Sequence, residues 1–166
     1  KTVFTKKHQQ TALEIARRSI VLLKNESLLP VDTRKFKKIL VTGPNANNQS
    51  IMGDWVFEQP EKNVSTILEG IKEEASGTQI NYVDVGWNMR ALDSAKIEEA
   101  IQTAKSSDLA IVIVGEDSFR QHWKEKTCGE NRDRMDITLW GKQDYLVESI
   151  YKTGVPTIVI LINGRP

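Results

Sequence analysis

The residues whose types and spacing could do chemistry are concentrated between positions 115 and 139. This segment holds six acidic and five basic side chains together with one His and one Trp. It follows an uninterrupted apolar run at residues 109–114, which predicts a buried strand, and it precedes a predicted helix that starts near Gly141. A connection longer than about 12 to 15 residues without secondary structure is uncommon in a compact domain and is usually functional or disordered. We therefore predict a polar binding surface at the carboxyl end of a strand, with Glu130 as the candidate for acid–base chemistry.

The charges around Glu130 also have a simpler interpretation. Residues 130–134, Glu-Asn-Arg-Asp-Arg, could form a solvated salt-bridge cluster, as most exposed charge runs do. A functional role is favoured by the position after a strand and by Gly129, which permits close approach of the backbone. Arg132 and Arg134 can also position carboxylates through forked hydrogen bonds.

Other potentially reactive residues have weaker patterns. His8 and His122 lack the spacing of metal ligands, so structural or surface roles are favoured for both. Cys128 is the single cysteine and has no evident His–Asn partners, which favours a packed side chain over a reactive thiol. The sequence at Gly43 lacks the glycine pattern of a nucleotide loop, and Pro44 removes a backbone donor there. Nucleotide binding is accordingly the weakest of the functions considered.

The composition excludes several classes of protein. The chain has 166 residues, 23 Lys and Arg against 22 Asp and Glu, and a net charge of +1. This balance does not favour binding to nucleic acid or to an anionic membrane. No apolar run approaches the roughly 18 residues needed to span a bilayer. The chain has the length of one domain, and because it begins at Lys1 and stops after an apolar strand we expect it to be part of a longer protein.

The elements that must position the candidate residues alternate along the chain. Strands are predicted at residues 37–44, 79–85, 109–114 and 157–162, and helices at residues 11–24, 65–74, 93–105 and 141–151. Ser65 and Asp93 are the predicted N-caps of the second and third helices. This alternation predicts an α/β fold, a mainly parallel sheet with helices on both faces. Since right-handed crossovers bring strand-to-helix loops to one edge, the loops with Trp55, Trp87 and Glu130 are predicted to converge.

Several short motifs occur in a fixed order over the whole chain. They are Leu22-Leu23-Lys24-Asn25 with Leu28-Leu29-Pro30, Gly43-Pro44-Asn45-Ala46, Gly53-Asp54-Trp55, Val114-Gly115-Glu116, Gly129-Glu130-Asn131-Arg132-Asp133-Arg134 with Leu139-Trp140-Gly141-Lys142-Gln143, and Asn163-Gly164-Arg165-Pro166. Together they resemble the second, α/β-sandwich domain of family 3 glycoside hydrolases, the β-glucosidase and β-xylosidase group. In that family the domain continues beyond the position of Pro166, so the resemblance implies an incomplete domain.

The resemblance implies a retaining hydrolysis of β-glycosidic bonds at the non-reducing end of a saccharide, with no metal or organic cofactor. Such a site uses two carboxyl groups about 5 to 5.5 Å apart, one ionised and one protonated. In the family the nucleophilic Asp lies on a preceding (β/α)8 barrel that this chain does not contain, and the second domain supplies the general acid/base. Glu130 stands at the acid/base position, and Glu116 and Glu125 remain rival acids.

We therefore interpret residues 1–166 as the second domain of an exo-acting β-glycosidase, a β-glucosidase in the first instance. Its expected partners are a β-linked oligosaccharide or glycoside and the barrel domain of the same parent chain. Trp55 and Trp123, in polar loops, are predicted as aromatic platforms, and Arg132 and Arg134 as further substrate-binding residues. The family resemblance implies a periplasmic or secreted parent. The alternative is a non-catalytic carbohydrate-binding or interaction module of the same fold.

Overall fold

A computed structural model describes residues 2–164 of the chain. It contains two compact units, of which the first ends at Val31 and the second begins at Asp32. In the described residues, no helix combines the length and the apolar character that a membrane crossing needs.

The first unit is built on helix α1, Lys6–Ser19. The side chain of Thr5 accepts a hydrogen bond from the backbone N–H of His8 (3.3 Å) and caps the helix. The chain becomes extended at Ile20 (φ −75°, ψ 127°). The predicted bounds of residues 11–24 were therefore wrong at both ends. The polar first turns carry no apolar periodicity, and the apolar residues that follow Ile20 continue that periodicity after the helix has ended.

The second unit alternates strands and helices as predicted. Its elements are β1 (Lys38–Thr42), α2 (Ile67–Glu74), β2 (Gln79–Val83), α3 (Ser94–Lys105), β3 (Leu109–Gly115), α4 (Gln143–Tyr151) and β4 (Thr157–Ile162). All neighbouring strands pair in parallel, in the order β2-β1-β3-β4. The predicted α/β class with a parallel sheet is confirmed, and element ends shift only slightly from their predicted positions.

The core lies on both faces of the sheet, because strand β3 is buried along its whole length. On one face, Leu40 and Val112 share a cluster with Ile97 of α3 and Leu146 of α4. On the other face, the β1 and β3 side chains are buried as well: Ile39, Val41, Ile111 and Ile113. Burial of one such side chain stabilises the fold by roughly 1.5 to 3 kcal/mol. This accounts for the continuous apolar run of β3, which a strand with one solvated face would not show.

The strand order places a topological switch point between β1 and β3. The chain leaves β1 toward β2 on one side of the sheet and leaves β3 toward β4 on the other. Right-handed crossovers then put α2 on the face opposite α4. The loops after β1 and β3 diverge, and the crevice between them is where open α/β sheets bind ligands.

Helix α2 begins with a capping box at Thr66. The Thr66 hydroxyl accepts a hydrogen bond from the N–H of Glu69 (3.2 Å), and the Glu69 carboxylate accepts one from the N–H of Thr66 (2.8 Å). The same hydroxyl donates to the side-chain oxygen of Asn47 (2.9 Å). The predicted N-cap, Ser65, was wrong by one residue, and the correct position puts Glu69 in the third helical place that a capping box requires.

We expect Thr66→Ala to lower the free energy of unfolding by about 1 kcal/mol, because one backbone N–H of α2 loses its side-chain acceptor. Urea unfolding followed by circular dichroism measures the change. Thr66→Ser keeps the hydroxyl and is expected to unfold close to the wild-type midpoint. Equal losses for the two variants would show that the hydroxyl does not stabilise the helix.

Candidate active site

Two loops at the carboxyl edge of the sheet form the candidate site. We refer to residues 43–66, after β1, as the first loop and to residues 116–142, after β3, as the acidic loop. The buried Asn45 side chain joins them by donating to the backbone oxygen of Glu116 (3.1 Å). At the base of the acidic loop, the Gln143 amide accepts from the N–H of Gly115 (2.8 Å) and donates to its carbonyl (3.0 Å). Both loops therefore start from fixed positions.

The Asp54 carboxylate is the strongest link between the two loops. It accepts a hydrogen bond from the backbone N–H of Glu130 (2.6 Å) and lies 3.1 Å from the ammonium group of Lys126. A guanidinium nitrogen of Arg120 is 3.6 Å away. The Lys126 side chain is fully buried and that of Asp54 nearly so, at 0% and 11% exposure. An ammonium group in such a position requires a paired carboxylate, which Asp54 supplies.

The environment of Asp54 favours its ionised form. Desolvation by burial pushes the pKa of this carboxyl up, but the hydrogen bonds from Glu130 and Lys126 and the charges of Lys126 and Arg120 outweigh it. The pKa of Asp54 is therefore held below its usual range. The carboxylate remains charged, and able to accept these bonds, at neutral pH.

Glu130 combines a fixed backbone with an accessible side chain. Its N–H is held by Asp54, and it lies between Gly129 (φ +93°) and Asn131 (φ +58°), two left-handed residues that turn the chain tightly. Its side chain is 41% exposed, and one carboxylate oxygen lies 3.2 Å from Arg120. This carboxyl can give or take a proton at a ligand, because one side of it faces solvent while the backbone stays in place.

The rival acid Glu116 occupies a different environment. Its side chain is only 4% exposed and lies 2.8 Å from a guanidinium nitrogen of Arg134, whose side chain is 8% exposed. It also accepts from the backbone N–H of Gly164 (3.3 Å). Such a buried, paired carboxylate fits a structural role. The other rival, Glu125, is half-buried and follows a short 3-10 helix at Arg120–His122.

Two exposed aromatic side chains contact Arg120, the residue that pairs with Glu130. Trp55 is 73% exposed and Trp123 is 43% exposed. The Arg120 guanidinium lies 4.0 Å from the ring centroid of Trp55, and the Lys126 ammonium lies 4.4 Å from that of Trp123. The structure thus brings both predicted platform residues together with Glu130, and cations partly cover their rings.

The two arginines of the acidic loop differ in what they contact. The guanidinium of Arg132 donates to the backbone oxygen of Trp123 and lies 5.9 Å from its ring centroid. The guanidinium of Arg134 donates hydrogen bonds to the Glu116 carboxylate and to the backbone oxygen of Thr138. The Arg134 guanidinium is therefore held by groups of the acidic loop itself, and the substrate contact predicted for Arg134 remains a prediction.

The third predicted loop joins the site through Trp87. The Trp87 ring stacks on the His122 ring with centroids 3.9 Å apart, and the Nδ1 atom of His122 lies 2.6 Å from the buried Asp117 carboxylate. Trp87 and His122 border a cavity of about 250 Å3, to which Asn48 and Glu58 also contribute. The predicted convergence of the loops bearing Trp55, Trp87 and Glu130 is thereby confirmed.

The residues that hold Glu130 in place were not predicted from the sequence. Asp54 stands in the Gly53-Asp54-Trp55 motif, where only the Trp was assigned a role, so a signal was present. Lys126 and Arg120 belong to no pattern that distinguishes them from the other charges of the acidic loop. Within residues 2–164 no cluster of His, Cys, Asp or Glu has a geometry suited to a metal ion.

These features define a class: a parallel α/β domain with a carboxylate and exposed aromatic rings at the switch point of its sheet. The model of the glycosyl hydrolase family 3 C-terminal domain matches residues 20–166. A β-xylosidase of Formosa agariphila is 39% identical over 98% of this chain, and a periplasmic β-glucosidase of Salmonella typhimurium is 31% identical over 96%. In each case the match covers 22% of the relative.

Solved structures show the same likeness. A β-glucosidase involved in saponin metabolism from intestinal bacteria superposes with a TM-score of 0.83 at 27% identity, over 98% of this chain and 25% of its own. A β-glucosidase from Listeria innocua in complex with glucose gives a TM-score of 0.82 at 25% identity, over 99% of this chain and 21% of its own. The chain belongs to glycoside hydrolase family 3, as a C-terminal domain of the kind found in β-glucosidases and β-xylosidases.

Proposed function

We propose that this chain is the second domain of a retaining, exo-acting β-glycosidase, a β-glucosidase, and that Glu130 is its general acid/base. One observation carries the proposal: Glu130 has an exposed carboxyl on a backbone that Asp54 fixes, whereas Glu116 is buried and paired. A proton-transfer group needs both access to the substrate and a defined position. The first property distinguishes Glu130 from Glu116.

In the proposed reaction, the Glu130 carboxylic acid donates its proton to the glycosidic oxygen as the bond to the anomeric carbon breaks. A carboxylate from the barrel domain attacks that carbon and forms a glycosyl-enzyme intermediate. Glu130, now ionised, then removes a proton from water, which attacks the anomeric carbon and releases the sugar with its original configuration. Arg120, 3.2 Å from the Glu130 carboxylate, orients that group between the two steps.

The substrate side of the proposal rests on the exposed aromatic rings. The apolar face of a pyranose ring can pack on an indole, and Trp55 and Trp123 present such rings beside Glu130. We propose that these two side chains contact the saccharide unit of the leaving group, together with Arg132, whose guanidinium lies 5.9 Å from the Trp123 ring centroid. Arg134 acts through Glu116 by holding the acidic loop.

The proposed partner is a (β/α)8 barrel domain within the same parent chain, which would carry the nucleophile. This is supported by coverage: the chain spans about a quarter or less of the curated relatives and solved chains that it matches. We propose a periplasmic or secreted location for the parent, since one relative is described as periplasmic. The parent is tested with aryl β-glucosides and β-xylosides; release of glucose with retained configuration supports the proposal.

A non-catalytic carbohydrate-binding module is the competing function, because exposed Trp55 would serve it equally well. Such a module binds saccharides without hydrolysing them, and replacing Glu130 would leave no rate to lose. Trp55→Ala is expected to weaken binding under either function. Only hydrolysis that depends on Glu130 distinguishes the two.

The 166-residue chain alone is expected to show no turnover of an aryl β-glucoside, because the proposed mechanism takes its nucleophile from the barrel. A chromogenic assay with the isolated chain at high concentration measures this. The parent enzyme, assayed at the same molar concentration, serves as the positive control. Turnover by the isolated chain comparable to that of the parent would mean that both catalytic groups lie within residues 1–166.

A further inference from the structure

We propose that Asp54 is a positioning residue for the acid/base. It fixes the position of Glu130 by accepting a hydrogen bond from its backbone N–H, and a buried ion pair with Lys126 holds the Asp54 carboxylate in place. This inference rests on the proposed function of Glu130. It assigns the role to a residue of the first loop, on the other side of the crevice from the acidic loop.

The contact geometry favours this role over incidental packing. The Asp54 carboxylate accepts a hydrogen bond from the Glu130 N–H at 2.6 Å, which is short for an N–H donor, and a charged acceptor shortens such bonds. At Gly129, a Cβ atom would lie 2.6 Å from the Asp54 Oδ2 atom, so a side chain there would displace the Asp54 carboxylate. The positive φ of Gly129 (+93°) independently favours glycine. Gly129 therefore leaves room for the Asp54 carboxylate to reach the N–H of Glu130.

The energetics of Lys126 support the same role. Its ammonium is fully buried, 3.1 Å from both oxygens of Asp54, and lies over the ring of Trp123. Buried ion pairs are often no more stabilising than apolar residues of similar volume, so stability alone does not explain this one. Such a pair restricts geometry, because a buried ammonium is stable only with its carboxylate beside it. Lys126 holds the carboxylate of Asp54, and Asp54 in turn holds Glu130.

The chain offers a matched control at the opposite edge of the sheet. Like Asp54, Asp108 accepts hydrogen bonds from the backbone through its carboxylate. Its donors are the N–H groups of Lys37 (2.7 Å) and Lys38 (2.9 Å), at the start of β1. Both bonds keep the pKa of Asp108 below its ordinary value. Replacing Asp108 removes a similar carboxylate-to-backbone contact from a region with no part in the proposed chemistry.

The experiment compares Asp54→Ala, Asp108→Ala and Glu130→Gln in the parent enzyme on aryl β-glucosides with poor and good leaving groups. A general acid held in the wrong position slows departure of the leaving group only when that group must be protonated. We expect Asp54→Ala to lower kcat/KM on phenyl β-glucoside by about 10- to 100-fold, the cost of a displacement near 1 Å. The loss is expected to be much smaller on 2,4-dinitrophenyl β-glucoside, because its dinitrophenolate leaving group departs without needing a proton. Asp108→Ala is expected to leave the ratio of the two rates at the wild-type value.

The outcomes separate this inference from the proposed function. If Asp54→Ala lowers both rates by one factor while Glu130→Gln is selective for the poor leaving group, Asp54 is merely structural and the inference fails. If Glu130→Gln shows no such selectivity, the proposed function itself fails. Should Asp54→Ala not accumulate as folded protein, Asp54→Ala combined with Lys126→Met is assayed instead, because it removes the buried ammonium together with its counter-charge. A loss in that variant that is selective for phenyl β-glucoside supports positioning, and a wild-type ratio of the two rates overturns it.

Discussion

Glu130→Gln in the parent enzyme is expected to lower kcat/KM on phenyl β-glucoside by about 10²- to 10⁴-fold, the usual contribution of a positioned general acid. The amide keeps the shape of the side chain but cannot donate a carboxylic proton. Hydrolysis of 2,4-dinitrophenyl β-glucoside should retain a near-normal first step and stall at the glycosyl-enzyme intermediate. Steady-state kinetics with a pre-steady-state burst measure both effects.

Azide provides the second readout for this variant. It attacks the glycosyl-enzyme intermediate without needing a base, so it should restore turnover of the activated substrate and yield a β-glycosyl azide. Glu125→Gln is the matched control, since it neutralises a half-buried rival carboxyl in the same loop. We expect it to show neither the leaving-group selectivity nor the azide effect. If Glu125→Gln shows them and Glu130→Gln does not, the acid/base assignment belongs to Glu125.

Glu116→Gln is expected to lower the free energy of unfolding by about 3 to 5 kcal/mol, because it leaves the Arg134 guanidinium buried without its counter-charge. The two side chains are 4% and 8% exposed and 2.8 Å apart, so water cannot replace the lost partner. The Gly164 N–H also loses a charged acceptor. Urea unfolding of the chain, followed by intrinsic Trp fluorescence, measures the effect.

Glu148→Gln is the control for that measurement. Glu148 pairs with Lys152 at 3.0 Å, but the two side chains are 66% and 72% exposed. An exposed pair of this kind contributes about 0 to 1 kcal/mol, so the control should unfold near the wild-type midpoint. A similarly small change for Glu116→Gln would contradict a structural role for its carboxylate and return Glu116 to the set of candidate acids.

The sheet could be predicted because its information is local. The apolar run that became β3 has no polar interruption, and such a run between turn signals fits a strand covered on both faces. The Asp93 N-cap of α3 was also predicted, and its side chain accepts from the N–H groups of Ala95 and Lys96. The ends of α1 were predicted wrongly, because apolar periodicity continues past Ser19, where the helix stops.

What the sequence determined by itself was the α/β class, the family, and the loop in which the candidate acid lies. Ordered motifs and hydrophobic periodicity are properties of neighbouring residues, so they can be read without coordinates. The tertiary structure alone decided which carboxyl is accessible. Glu116 and Glu130 are the same residue type in the same loop, but Glu116 is buried against Arg134 and Glu130 is exposed. Asp54 and Lys126 meet Glu130 only because β1 and β3 are adjacent and their loops leave the same edge, and no local pattern encodes a contact between residues so distant in the chain.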